Sequence, residues 1–466
     1  MWEEVLKRFE REAPVSVMAR VALEQAVPAR WIDEVFQDNR QRQYPRELLM
    51  STVVELMMLV SLGLRPSLHA AAKSIEKLPV SLAALYDKIN RTEPQILRAL
   101  VQGSAARLEP VVAAAAADTD SPSSQPSLPG WQVRILDGNH LPASEKRLQP
   151  LRAHRSAAMP GHTLVVYDPD SCLVTDILPC EDAHQSERVG AAILQQKAQP
   201  GQLWIADRHF CTRALLLGWQ QRQSSFIVRE HSKHPRLGTI GPWSQAVTSE
   251  TGQVREQAIE LEITKVEAAS CPPWRRIEIE LEVPTGSGDK RIVLWSNLPP
   301  EIQADTISQL YRKRWRIEGM FGKLESALQS EITTLGHPRG ALLGFAAAVL
   351  AYKVLALLKP CVEQAHRQSV PELDVSIYHL GVHVASNYKG MLIALQPQEW
   401  MQWSEAPPER VAQYLLYLAA QVRPRSVAAA KRGAKKQKPG RYVPGADARK
   451  RLSTARVLRD LAAQTP

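Results

Sequence analysis

Two aspartates stand where short apolar runs end: WQVRIL (131–136) leads into Asp137, and LWIA (203–206) leads into Asp207. A buried strand that ends in a carboxylate puts the charge at the rim of a sheet, where open α/β sheets bind their ligands. Two such strands side by side would crowd like charges, which costs free energy unless a cation compensates. Oxygen donors without a histidine–cysteine cluster select Mg²⁺ or Mn²⁺ over zinc. Each aspartate alone serves equally well as a turn or capping residue, and Asp207 precedes a predicted helix that it could cap. A third carboxylate, Glu318, lies in YRKRWRIEGMFGKLESAL (311–328), where Tyr311, Arg314 and Glu318 fall at i, i+3 and i+7 on one helical face. A hydroxyl donor and a rigid guanidinium fork suit phosphate. The same spacing also serves a solvated Arg314–Glu318 salt bridge, and spacing leaves both readings open.

The elements that would position these residues are legible from periodicity. Residues 1–112 read as helical, with apolar positions at helical spacing in 45–62, 67–78 and 80–89. The two short helices either side of Pro79, the second carrying Lys88, Asn90 and Arg91, form a possible helix-turn-helix for DNA. Ala-, Ser- and Pro-rich residues 113–130 read as a linker. From Trp131 the pattern gives strands at 131–136, 162–168 and 172–178, a helix over 184–199, a strand at 203–207, a helix from Thr212 to about Gln223, and a strand at 225–230. That alternation predicts an α/β sheet over 131–231. Residues 232–300 read as a small antiparallel insertion. Residues 301–365 carry a helix from Asp305 to about Ser330 and another from Arg339 to Lys359, and 366–466 form a mixed C-terminal region.

Bulk properties narrow the function class. The five cysteines are scattered without a CxxC pair, against a disulfide framework or zinc knuckle and consistent with a reducing cytoplasm. The start of the chain lacks the order of a secretory signal. The most apolar stretch, 340–358, contains Tyr352 and Lys353 and reads as a buried core helix, so no membrane role is expected. The net charge is +10, and between Gln421 and Leu452 eleven Lys or Arg face Asp447 alone, so this segment accounts for the whole excess. It reads as a contact to a phosphate backbone or as a solubilising tail. Lys146, Arg147, Arg152 and Arg155, just past the first aspartate, could track a backbone or form a plain charged loop.

RILDGNHL, LWIADRHFCT and YRKRWRIEGMFGKLESAL, in this order, resemble the DDE transposases of bacterial insertion sequences. The group they resemble is the insertion-sequence-four family with its Tyr-x2-Arg-x3-Glu-x6-Lys motif. The β-rich insertion, LGHPRGALLGFAAAVLAYKVLALLK and a C-terminal STARVL add to the likeness, which covers 131–360 well and the ends loosely. The resemblance implies a ribonuclease H-like α/β catalytic core with a β-rich insertion, preceded by an all-helical N-terminal domain. It implies Asp137, Asp207 and Glu318 as catalytic metal ligands for two Mg²⁺, with Mn²⁺ able to substitute. It implies Tyr311, Arg314 and Trp315 as DNA contacts. The partners implied are double-stranded DNA (terminal inverted repeats and target) and a second copy in a paired-end homodimer, in a bacterial cytoplasm at the nucleoid. One residue departs: the motif's final lysine is Glu325 here. Lys323 lies nearby but about 140° round the helix from Glu318, so it would supply a DNA contact only from a distorted helix. An inactive DNA-binding descendant and a non-transposing nuclease are the alternatives.

Overall fold

The computed structural model of the chain describes residues 2–43, 47–75, 78–117, 125–233, 235–250, 252–262, 273–285, 288–430 and 452–464. The front is helical: α1 (Trp2–Glu12), α2 (Pro14–Ala26), α3 (Ala29–Asn39), α4 (Met50–Ser61), α5 (Leu68–Ala72), α6 (Leu82–Arg91) and α7 (Pro94–Ala116). Hydroxyls open two of these, Ser67 and Ser81 each accepting from the backbone N–H three residues on at 3.2 Å. α7 runs past residue 112, where the linker was expected to begin, because the alanine run 113–116 has the highest helix propensity.

Of the helices that could form a helix-turn-helix, α6 turns Lys88 and Asn90 toward the protein. Lys88 Nζ donates to the Leu48 carbonyl at 2.5 Å and lies 4.7 Å from the Phe36 ring centroid, and burial pushes its pKa down. Asn90 Oδ1 packs against Gly340, where a Cβ would meet it at 2.7 Å. Only Arg91 faces outward, paired with Asp87 at 3.0 Å.

The sheet follows: β1 (Gln132–His140), β2 (Ala158–Met159), β3 (His162–Asp168), β4 (Leu173–Cys180), α8 (Glu187–Gln195), β5 (Gln202–Ala206), α9 (Arg213–Gln221) and β6 (Ser225–Arg229). β7 (Leu237–Ile240), β8 (Val247–Ser249), β9 (Gly252–Leu261), β10 (Trp274–Leu281) and β11 (Arg291–Ser296) complete it. Ten strands form one mixed sheet in the order β4-β3-β1-β5-β6-β11-β10-β9-β7, with β8 on β9. β1, β5 and β6 are parallel neighbours, and the flanking pairs are antiparallel. The region expected as a small antiparallel insertion is antiparallel, and it extends the main sheet through Leu294↔Arg229 and Ser296↔Ile227. β6 is apolar on both faces, and an unpaired edge there would expose a template for association; β11 covers it.

After the sheet come α10 (Ala304–Arg312), α11 (Trp315–Ala327), α12 (Pro338–Ala365), α13 (Ile377–Ala394), α14 (Pro408–Ala419), α15 (Pro424–Val427), β12 (Leu452–Ser453) and α16 (Thr454–Gln464). α12 is long and apolar enough to cross a membrane by length and composition, yet 94% of its most apolar window is buried against other parts of the chain. α2, α4, α7 and α14 surround it. Lys353, midway along it, is fully buried, donates to the Val101 carbonyl and Ser104 Oγ at 2.6 Å each, and is pushed well down in pKa by desolvation. One apolar core thus joins the front helices, one face of the sheet and α12–α14, while Trp204, Trp219, Phe226, Trp274 and Trp295 fill the other face.

Of the basic segment, Lys431–Arg451 lie outside the described residues, and Arg423 and Arg425 sit at α15. The chain then re-enters the fold: β12 pairs in parallel with β2, and Asp182 accepts from Ser453 Oγ at 2.8 Å and from Arg456 Nε at 2.9 Å.

Candidate active site

β1 and β5 pair in parallel from Gln132↔Gln202 to Leu136↔Ala206, and the next residue on each is an aspartate. There the ladder stops. β1 continues against β3 alone, from Asp137↔Val165 to His140↔His162, so Asp137 lies within the strand and not past its end as the sequence suggested. The chain after Ala206 instead bends into a 3₁₀ turn, Arg208–Phe210. Asp207 heads that turn without capping it through its side chain, and α9 is capped by Thr212 Oγ1, which accepts from Leu215 N at 3.4 Å. The two carboxylates hold equivalent positions on neighbouring strands.

Glu318 reaches them through Arg314. The sequence predicts one helix from Asp305 to Ser330, but the chain breaks between α10 and α11 at Lys313–Arg314. Lys313, Arg314, Arg316 and Ile317 N–H groups each donate three residues back, a 3₁₀ step that tightens the backbone without a proline or glycine. The tightened turn carries Arg314 inward, 8% exposed. Its Nη1 donates to Asp137 Oδ2 at 3.0 Å and its Nη2 to Glu318 Oε1 at 2.7 Å. Arg314 Nε is buried and finds no acceptor among the described residues. Tyr311 is buried beside it, its hydroxyl pushed above the usual tyrosine range by burial and then by the Asp207 charge.

Burial pushes the Asp137 carboxyl up to about 6, against the pull of Arg314 and of the Gly138 N–H that Oδ1 accepts at 2.9 Å; Asp207 and Glu187 push it further. Glu318 is more open, with its side chain 55% exposed. Among the described residues no three His, Cys, Asp or Glu side chains are arranged to hold a metal ion. The Arg314 guanidinium lies between Asp137 and Glu318 and pairs with both. In donor chemistry the set fits a hard divalent cation: Asp137, Asp207 and Glu318 offer oxygens only, and a buried carboxyl beside another carboxylate gains most from added positive charge.

Trp315 stands 54% exposed at the start of α11. Lys323 is turned elsewhere, toward Lys359, Asp374 and Glu363, and burial lowers its pKa. Glu325 joins Asn139, Glu318, Phe321, Ser330 and Glu331 around a cavity of about 260 Å³ next to the carboxylates. In the basic loop past Asp137, Arg147 pairs with Glu145 at 2.6 Å and Lys146 donates to the His154 carbonyl. The sequence reading missed Glu187, which stands near Asp137 with His140 and His209 about its carboxylate. The available signal was local: a histidine follows each aspartate, in DGNH and in DRH.

Three comparisons bear on these residues. No curated protein matches the chain. A solved piggyBac transposase synaptic complex with hairpin DNA aligns over 86% of this chain and 87% of that one, at 10% identity and a TM-score of 0.36, too distant for fold or function to be transferred. Residues 129–352 match the family model of the transposase DDE domain, a stretch that contains Asp137, Asp207, Tyr311, Arg314 and Glu318, so the part of the chain that builds this site is similar to transposase DDE domains.

Proposed function

We propose that the chain is a DDE-type DNA transposase that cuts at the ends of its element and joins them to target DNA, with β4-β3-β1-β5-β6 as a ribonuclease H-like core. The observation that carries this reading is the approach of three carboxylates from three elements, β1, the end of β5 and α11, to one buried arginine. The family match over the same stretch supports it. Asp137, Asp207 and Glu318 would hold the divalent cations. A bound pair of Mg²⁺, or Mn²⁺ in its place, supplies the charge that stabilises attacking and leaving oxygens at phosphorus. Arg314 Nε, a buried donor without an acceptor among the described residues, suits a phosphate oxygen. Tyr311, held neutral, would donate a hydrogen bond and not attack. Water attacks the phosphodiester at the element end and frees a 3′-hydroxyl, which then attacks target DNA at the same site. The motif order supports an insertion-sequence-four affiliation, and with it a bacterial cytoplasmic enzyme acting as a paired-end homodimer.

An inactive DNA-binding descendant is the second reading, favoured by Glu325 at the motif's lysine position. Incubation with element-end DNA and Mg²⁺, with Ca²⁺ as control, separates the two. The active reading expects nicks that Asp137→Ala abolishes while end binding persists. Uncut DNA with the wild-type protein favours the binder, and cutting by the variant removes Asp137 from the chemistry.

A further inference from the structure

Past Leu136↔Ala206 the arms that carry Asp137 and Asp207 diverge, and no backbone ladder fixes one against the other. The first turn of α8 spans this gap. Glu187 Oε1 lies 3.7 Å from His140 Nδ1 on the β1 arm, and Oε2 lies 3.9 Å from His209 Nε2 on the β5 arm. These separations are longer than hydrogen bonds. Next to it, Arg188 Nε donates to the His209 carbonyl at 2.8 Å. The Glu187 side chain is only 16% exposed, and its carboxylate rests on the backbone after Asp137 so closely that a Cβ at Gly138 would sit 2.0 Å from Oε1. With glycine there the carboxylate keeps this place, and a Cβ would push it aside.

α8 is itself firmly seated. Gly190 brings it against β3 and β4, where a Cβ would meet Leu164 at 2.7 Å and Leu178 at 3.0 Å. At its other end Gln195 Nε2 donates to the Leu215 carbonyl of α9 at 2.5 Å. A side chain presented from a rigid helix can hold two loosely connected arms at a set distance.

We propose that Glu187 is a positioning residue: bridging His140 and His209, with Arg188 as a second fastening, it sets the separation of Asp137 and Asp207 and so the site's affinity for divalent cation. The inference rests on the reading of those aspartates as cation ligands. Loss of such a supporting contact typically weakens metal binding about 10–100-fold.

The test is Mn²⁺ titration of the full-length protein, reading free Mn²⁺ by electron paramagnetic resonance. Glu187→Asp keeps the charge but shortens the reach, whereas Glu187→Gln keeps the reach and removes the charge. Gly138→Ala pushes the carboxylate aside from the opposite direction. Bracing predicts that Glu187→Asp and Gly138→Ala each weaken Mn²⁺ binding about tenfold or more, with the melting midpoint nearly unchanged. In cutting assays the half-saturating Mn²⁺ concentration rises while the rate at saturation stays near wild type. Wild-type affinity in Glu187→Asp, with loss in Glu187→Gln alone, overturns bracing in favour of a plain charge effect. Wild-type affinity in all three overturns any role. Absence of saturable Mn²⁺ binding in the wild-type protein, or its persistence in Asp137→Ala, instead defeats the cation reading, and the inference with it.

Discussion

On the antiparallel half of the sheet, Glu230, Glu256, Glu278 and Asp289 each meet at least one arginine. Arg276 donates from Nε and Nη2 to the two oxygens of Glu230 at 2.6 and 2.9 Å, and Trp295 Nε1 adds a third donor to that carboxylate at 2.6 Å. Arg275 pairs with Glu256, Arg229 with Asp289, and Glu278 accepts from both Arg255 and Arg291. Glu230 accordingly sits below the usual carboxylate range. On the parallel half, Asp137, Asp207 and Glu318 gather near one arginine with Glu187 close to Asp137, and burial first, then the Asp207 and Glu187 charges, drives Asp137 up to about 6. The balanced half strengthens the register of its strands. The unbalanced half strains the fold, and a cluster of that kind marks a site kept for chemistry.

Substitutions on each half test this contrast. The largest effect is expected from Asp207→Asn, which should lower DNA cutting by about a thousandfold or more, roughly 4 kcal/mol of barrier, while holding or raising the melting midpoint because a repulsion is relieved. A lowered midpoint would show that the carboxylates stabilise the fold after all. Arg314→Ala comes next: cutting should fall about 10–100-fold, and added Mg²⁺ should raise the melting midpoint more than in wild type, since a cation then replaces the lost counter-charge. An equal Mg²⁺ shift in both proteins would separate Arg314 from the cation's position. On the other half, Glu230→Ala should lose about 2 kcal/mol of unfolding free energy, a discounted figure for a partly buried pair, with cutting per folded molecule unchanged. Denaturant titration beside activity checks it.

The smallest effect concerns the clasp at Asp182. Its carboxyl is held down to about 2 by the Arg456 and Ser453 hydrogen bonds and the His184 N–H, against desolvation. A depressed carboxylate contributes stability above its unfolded value, near 3.8, and loses it as pH falls through about 2. Asp182→Asn should therefore lower the melting midpoint by about 1–2 °C at neutral pH and flatten the acid limb. Parallel acid limbs for variant and wild type would count against the clasp.

The sequence made some of this legible and hid the rest for physical reasons. The run before Asp207 is apolar on both faces and the run before Asp137 largely so, so each strand leading into an aspartate could be read locally, whereas their pairing side by side could not. That β11 docks on β6 could not, because register between segments some 65 residues apart is written in no local pattern. The break at Lys313–Arg314 carries no proline or glycine, so Tyr311, Arg314 and Glu318 looked like one helical face when a tightened turn aims the arginine instead. Glu187 resembles any acidic residue in a helix's first turn and gains meaning only from what α8 crosses. Lys88 and Lys323 looked like phosphate contacts, yet their surroundings are protein carbonyls and other side chains, which charge counting does not see.

The central position of α12 also shapes how the molecule is made. The ammonium of Lys353 finishes at a carbonyl 252 residues earlier, so the apolar faces of α2, α4 and α7 have no permanent cover until that helix leaves the ribosome. At about 5–20 residues per second, the front of the nascent chain waits roughly ten seconds to a minute with sticky surface in the open. Slow codons or a holding chaperone in that interval would act on yield without altering a single residue of the finished site.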